Sequence, residues 1–231
     1  MSYSEKLREH AKQLGRDVSI ALIGAGQMGR GFGNQVHRMP GLSVNMVVDI
    51  DENRIRELFK DLGITDVKIT NDIKDIEKAL KEGKAVGATT SEFVHEINAI
   101  DFVVECTGVP DIGARITYNS LEAGKDVAVL NVEMDVTIGP LIHQTAVKHN
   151  RVYTVCHGDE PIEAKVLVDF ARDLNFEVVA AGKGKNNPFE PFSNPDTVRE
   201  RATAKNMNPK MLCSFTDGTK TMTEMVALAN T

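Results

Sequence analysis

The stretch Val18-Ser-Ile-Ala-Leu-Ile-Gly24-Ala-Gly26-Gln-Met-Gly29-Arg decides how the chain folds. A short apolar run, Val18 to Ile23, leads straight into glycines at 24, 26 and 29, and Met28 to Arg38 is able to form a helix. In a dinucleotide-binding turn the first glycine lets the chain leave the strand tightly. The second lets backbone approach a pyrophosphate, and the third lets the helix pack close to the sheet. The helix N-terminus then offers free N–H groups and a positive dipole end to the phosphates. A lone motif of this kind is weak, but the strand–turn–helix context it requires is present. The apolar run resumes at Val44 to Val48 and ends in Asp49, 20 residues past Gly29. That is where such a fold puts the carboxylate that binds the ribose hydroxyls. Gly24, Gly26, Gln27, Met28, Gly29 and Asp49 are therefore expected to hold a coenzyme. The bland alternative is an ordinary strand–turn–helix with a glycine-rich turn.

A chain of 231 residues suits one large domain, or a nucleotide domain with a smaller partner region. Apolar residues make up 42% and charged ones 26%, as in ordinary soluble globular proteins. The net charge of −6 provides no basic field for nucleic acid. No apolar run approaches the roughly 20 residues that span a bilayer, and the start MSYSEKLREH lacks the layout of a secretion signal. Cys106, Cys156 and Cys213 form neither a disulfide framework nor a CxxC pair. The expectation is a cytoplasmic, reduced protein acting on a small molecule, without nucleic-acid or membrane partners.

Residues 4 to 14 read as a short amphipathic helix, Asp51 to Lys60 as a second helix with an acidic start, and 72 to 82 as another. Val67 to Thr70 and Ala85 to Thr89 read as short strands, with a helical turn near Ser91. A clear strand runs from Asp101 to Cys106 and ends in Thr107-Gly108. Ligands of doubly wound sheets gather beyond the carboxyl ends of strands, so Cys106, Thr107 and Gly108 are expected to face the coenzyme. A helix over 111–123 and a strand over 127–132 follow. This alternation predicts an α/β fold, a Rossmann-type doubly wound parallel sheet. It occupies residues 1–133, with a second, smaller α+β catalytic region over 134–231. That region is expected to hold helices over 134–149, 162–174, 196–205 and 219–229, and strands over 152–156 and 177–181. A helix that runs to Thr231 without a cap suggests a chain truncated at its C-terminal end.

The cluster Lys183, Lys185, Asn186, Asn187 follows the expected strand 177–181 on a turn loosened by Gly182 and Gly184. Two ammonium groups and two amides there suit a phosphate, a carboxylate or a carbonyl awaiting hydride. A solvated basic turn is the alternative. His157, Asp159 and Glu160 follow another strand end, as Glu133 and Asp135 follow a third. Such groups suit a hard divalent ion or a proton shuttle, or simply helix caps. Cys106 and Cys156 read as small buried hydrophobes rather than nucleophiles. Asp217 and Lys220 lie in an Asp-Gly turn flanked by lysines that suits either a substrate-facing loop or a plain surface turn.

The strings Ala180-Ala-Gly-Lys-Gly-Lys-Asn-Asn-Pro, Asn208-Pro-Lys-Met-Leu with Phe215-Thr-Asp-Gly-Thr-Lys, and His157-Gly-Asp-Glu-Pro together resemble the homoserine dehydrogenase-like oxidoreductases that carry a C-terminal SAF domain. One branch of that family is described as 1-deoxy-D-xylulose-5-phosphate reductoisomerase-like. The resemblance spans the chain and implies an NADPH-using reductase with a substrate site between the nucleotide domain and the following region. It also implies that the SAF module is missing here. By motif-level analogy it carries Lys183, Lys185, Asn186, Asp217 and Lys220 over as active-site elements. Asp49 departs from it: a carboxylate there favours NAD and repels a 2′-phosphate, unless Arg54 serves that phosphate. The choice between NADP and NAD stays open.

The expected activity is reduction of a small anionic carbonyl compound held by Lys183, Lys185 and Asn186, with Lys220 or Asp217 moving the proton. If a rearrangement precedes reduction, a divalent metal (Mg or Mn) is expected near Asp159 and Glu160. Apolar helix faces suggest a homo-oligomer, in the form of a dimer. The competing reading is a non-catalytic dinucleotide-binding sensor or regulatory module, which needs the glycine turn but no convergent lysines.

Overall fold

The computed structural model of the protein describes residues 2–205 and 207–230. It divides into two compact units, Met1–Val155 and Cys156–Thr231.

The first unit alternates helix and strand: α1 (Tyr3–Leu14), β1 (Val18–Ile23), α2 (Gln27–Val36), β2 (Leu42–Val48), α3 (Glu52–Asp61), β3 (Val67–Ile69), α4 (Ile73–Lys81), β4 (Ala85–Ala88), β5 (Phe102–Glu105), α5 (Pro110–Glu122), β6 (Asp126–Val129), α6 (Val132–Lys148) and β7 (Tyr153–Val155). Short polar side chains start the helices. Ser2 and Glu5 form a reciprocal cap on α1, Asp51 accepts from the Asn53 N–H, and Asp72 accepts from the Asp75 N–H. The seven strands form one sheet in the order β3-β4-β2-β1-β5-β6-β7, and every pair is parallel. Helices on both faces explain why β1 is buried along its whole length from Ser19 to Ile23 rather than on alternate residues. Met46, Val86, Val103, Val127 and Ile142 belong to one core. The strand order reverses between β1 and β5, and doubly wound sheets bind ligands beyond the carboxyl ends of strands at such a reversal.

The expected division at residue 133 is displaced. α6 runs through Pro140 because Val132, Met134, Ile142 and Ala146 are buried on it, and packing outweighs the hydrogen bond that proline removes. β7 then pairs with β6 as the sheet's last strand. The segment 134–155 is therefore part of the first unit.

The second unit contains α7 (Glu160–Asp173), α8 (Arg199–Ala204), α9 (Pro209–Thr216) and α10 (Thr219–Ala229). α10 packs on α7 and α9, and α8 on α9. Val198, Ala202, Leu212 and Cys213 make a small core with Met207 and Phe215 against it. α9 lies in a stretch that reads as loop. Asn208 caps it by accepting from the Lys210 N–H at 2.9 Å, and Pro209 sits in its first turn, where the missing N–H has no helical partner to lose. The expected strand Glu177 to Ala181 is absent. The chain leaves α7 through Asn175 in the left-handed region (φ 64) and continues as irregular backbone, with Val179 88% exposed. Among the described residues the second unit has no strand to pair with it. The expected uncapped end falls on Thr231, outside the described residues. No described helix is long and apolar enough to cross a membrane.

Gly29 is a close-packed position and Gly31, two residues along the same helix, is open: a β-carbon on Gly29 would lie 1.9 Å from the Gly24 carbonyl oxygen, while one on Gly31 meets nothing within 4 Å. Gly29→Ala is therefore expected to destabilise the protein by about 1–3 kcal/mol or more. Gly31→Ala should be neutral or stabilising by up to about 1 kcal/mol. Urea unfolding of both variants beside the parent checks this, and equal midpoints would be inconsistent with the close approach.

Candidate functional site

In the first unit the three glycines do different work. Gly24 has φ +95, and a β-carbon on it would lie 2.8 Å from the Cys106 carbonyl carbon and oxygen. The exits of β1 and β5 thus touch through a position that only glycine fills without strain. Gly26 differs from both. Its φ of −71 suits any residue and nothing lies within 4 Å of a β-carbon built there. Neither backbone nor internal packing calls for glycine at 26, and the space it leaves adjoins the start of α2, which has no side-chain cap. First-turn N–H groups without a cap and open room beside them fit a pyrophosphate. Gln27 and Met28 are exposed at the same helix start.

Asp49 ends β2 and is only 8% exposed. One of its oxygens accepts from the Ala25 N–H at 2.7 Å and the other from the Asp51 N–H at 2.9 Å. It therefore fixes the glycine turn, and each oxygen keeps a further lone pair for a ribose hydroxyl. Arg54 is exposed on α3 with its guanidinium 3.8 Å from Asp51. At the end of β5, Cys106 and Thr107 are half-buried and Gly108 is exposed. The preceding Glu105 is fully buried and accepts from the Thr107 N–H at 2.7 Å and from its hydroxyl. Burial raises the Glu105 pKa, against the lowering effect of bonds from Thr107 and Asn131. This carboxyl shapes the β5 exit and was not foreseen from the sequence.

In the second unit the structure brings together Asp159, Glu160, Lys183, Lys185 and Glu224. Asp159 caps α7, and Glu160 is its first residue. Lys183 places its ammonium 2.8 Å from Glu160 Oε1 and in contact with Glu224 Oε2. Glu224, on α10, is 1% exposed, and the Lys183 side chain is 11% exposed. Lys185 lies 3.8 Å from the same Glu224 oxygen, with its ammonium 5.1 Å from the Phe215 ring centre. The two lysines titrate in opposite directions. Burial alone would lower the Lys183 pKa, but the Glu160 and Glu224 carboxylates raise it. For Lys185 burial prevails, aided by the charge of Lys183, and the value falls below that of an ordinary lysine.

Burial and the neighbouring Glu160 push Asp159 up to about 6, against the lowering field of Lys220. Glu160 moves the other way, to about 2: burial would raise it, but the Lys183 ammonium lowers it further. Asp217 stands just before α10, where its Oδ1 accepts from the Thr219 N–H at 2.8 Å and the Thr219 hydroxyl at 2.7 Å. It thereby holds the start of the helix that carries Lys220 and Glu224. Asn186 is exposed beside Lys185. Cys156 is buried, as expected of a small hydrophobe.

Sequence reasoning missed Glu224. The signal was present in the run Thr221-Met-Thr-Glu-Met-Val-Ala-Leu-Ala, where a single acid stands in an apolar helix, four residues after Lys220. The divalent ion expected near Asp159 and Glu160 does not fit. Asp159, Glu160 and Glu224 do offer oxygens within 4.8 Å of one another. The Lys183 ammonium, however, already lies against two of the three.

Residues 158–231 match a family model described as oxidoreductase DRL, catalytic domain. No curated protein matches the chain in sequence. In fold the chain is similar to yvaA of Bacillus subtilis, described as an oxidoreductase, at 14% identity and TM-score 0.53, over 77% of this chain and 45% of that one. It is also similar to a Thermotoga maritima protein described as a dehydrogenase, at 14% identity and TM-score 0.50, over 68% and 41%. A further match is the Zymomonas mobilis 1-deoxy-D-xylulose 5-phosphate reductoisomerase in complex with NADPH, at 19% identity and TM-score 0.48, over 68% and 43%. The chain spans less than half the length of each of these structures. The first two bear out the Rossmann-type sheet.

The split between Asp159 and Glu160 has a consequence for stability. A carboxyl raised to about 6 favours the folded state fully below the ordinary carboxylate range, and that contribution is lost as pH rises through about 6. Glu160, lowered to about 2, contributes above the ordinary range and loses its contribution as pH falls towards about 2. Asp159→Asn keeps a capping oxygen and removes the first of these titrations. Its stability relative to the parent is expected to rise between about pH 4 and about pH 7. Urea unfolding across that range reads the effect, and a constant difference would contradict the raised Asp159 value.

Proposed function

We propose that the protein is an NAD(P)-dependent oxidoreductase that reduces a small anionic carbonyl compound, with the first unit binding the coenzyme and the second the substrate. The observation that carries the reading is the pair Lys183 and Lys185, gathered at the buried Glu224 carboxylate within the residues that match an oxidoreductase catalytic domain. When bound, the nicotinamide supplies the hydride. Gly26 and the first turn of α2 would take the pyrophosphate, and Asp49 the adenosine ribose. The acidic run Asp49, Asp51, Glu52 favours a free 2′-hydroxyl, and Arg54 already has Asp51 for a partner. NADH is therefore expected to bind ahead of NADPH.

Lys185 points its ammonium at the carbonyl oxygen, stabilises the charge that develops there and gives up its proton to the new alkoxide. A lowered pKa suits that transfer. Asn186 adds an amide donor, and Lys220 attracts the substrate's anionic group. Lys183 stays charged throughout, gripped by Glu160 and Glu224, and holds the turn that carries Lys185. Homoserine dehydrogenase-like and reductoisomerase-like substrates both satisfy this description, since each is a small carbonyl compound bearing an anionic group.

Coenzyme fluorescence titration, followed by NADH and NADPH oxidation with a panel of carboxylated and phosphorylated carbonyl compounds, tests the reading. Lys185→Ala is expected to lower kcat by about 10²–10⁴ with the coenzyme Kd unchanged. Coenzyme binding without turnover of any carbonyl would favour the sensor alternative. Absence of binding by either coenzyme would remove both readings.

A further inference from the structure

Three carboxylates whose oxygens converge within 4.8 Å are an arrangement that hard divalent cations use. An acidic cluster alone proves little, but Glu224 adds a second observation. It is 1% exposed, and its Oε2 is in contact with the Lys183 ammonium and 3.8 Å from that of Lys185. A buried carboxylate without a compensating charge is strongly unfavourable. What meets it is the Lys183 ammonium, which also bonds Glu160 at 2.8 Å.

We infer that Lys183 is the resident cation of the Asp159–Glu160–Glu224 pocket, standing where a divalent ion would otherwise bind, so that the protein works without one. A lysine delivers a single charge on a stem fixed to the chain, with three N–H groups to share among the oxygens. It cannot be chelated away, and no free metal has to be captured. A divalent ion offered to the native pocket has to displace this ammonium or lie beside it, and repulsion opposes the second course. Once the ammonium is removed, three convergent carboxylates remain with Lys185 and Lys220 near them, and a hard cation is the natural replacement. The catalytic meaning of this arrangement rests on the oxidoreductase reading. The occupancy of the pocket does not, and it can be measured without substrate or coenzyme.

The test is Mn²⁺ binding to the full chain, followed by electron paramagnetic resonance of the free ion and by calorimetry near neutral pH. The parent is expected to show no site that depends on Glu224. Lys183→Ala and Lys183→Met should each gain one Mn²⁺ site at least about tenfold tighter than anything in the parent, equivalent to about 1.4 kcal/mol. Lys183→Ala combined with Glu224→Gln should lose it, and Lys183→Arg should not acquire it. Far-ultraviolet circular dichroism establishes that each variant is folded, and the methionine variant keeps the packing of the lysine stem. A parent that binds Mn²⁺ and loses it on Glu224→Gln would overturn the inference, whatever the variants do. Folded Lys183→Ala and Lys183→Met proteins that bind none would overturn it equally. Failure of coenzyme binding or turnover would instead strike at the proposed function and leave this result intact.

Discussion

The carbonyl oxygen of Gly24 occupies the place where a β-carbon on residue 29 would be, 1.9 Å away, and the first unit is arranged around that exclusion. It lets α2 start hard against the end of β1, with its opening N–H groups directed outward rather than consumed by a cap. Asp49 then fixes the same turn from the other side through the Ala25 N–H, and Gly24 brings it against Cys106 at the exit of β5. Three strand ends thus converge at the reversal of strand order, where a doubly wound sheet opens its crevice. Gly26 is the exception, because nothing inside the protein fills its vacant space. A residue kept small for a neighbour the chain does not supply points to a ligand.

The second unit faces a different constraint, which is charge. Its apolar core is small, built on Val198, Ala202, Leu212 and Cys213, yet Glu224 on α10 is buried too. Buried ion pairs seldom add much stability over an apolar pair, but losing one partner leaves an unmet charge costing about 3–5 kcal/mol. Glu224 and Lys183 are therefore bound to one another's presence. Asp217 secures the arrangement by fixing the start of α10 through Thr219. The backbone around Lys183 is irregular, and these ionic contacts hold its side chain.

The parts legible in the sequence are those whose cause is local. The glycine spacing, the acid that follows β2, and the change from continuous apolar runs to helical periodicity all lie within a few residues of the structure they dictate. The stretch Glu177 to Ala181 shows the limit. Its composition suits a strand, but a strand exists only against a partner, and the second unit provides none among the described residues. α9 was hidden for the opposite reason: Asn208-Pro209 reads as a loop and acts as a cap followed by a first helical turn. The strand–helix alternation changes character past residue 132, which reads as a boundary, whereas the buried apolar residues of α6 and the pairing of β7 with β6 keep 134–155 in the first unit. Glu224 was missed because an acid four residues from a lysine on a helix usually denotes a solvated pair. Its burial depends on the return of Lys183 from 41 residues earlier in the chain.

Burial and charge divide the neighbours of Lys183 into groups that titrate in different directions. A divalent ion would leave all three carboxylates ionised, since two positive charges offset most of their repulsion. One ammonium cannot do so. Burial and the adjacent Glu160 keep Asp159 up to about 6, while Glu160, in contact with Lys183, falls to about 2. Asp159 is therefore the carboxyl of the three that takes up a proton as pH falls through about 6. The same ammonium acts in the other direction on Lys185, whose pKa burial already lowers and the nearby positive charge lowers further. Burial, with Glu160 beside one group and Lys183 beside the other, therefore moves one carboxyl and one amine towards neutrality. Groups pushed apart in this way are the ones that divide acid and base duties in an active site.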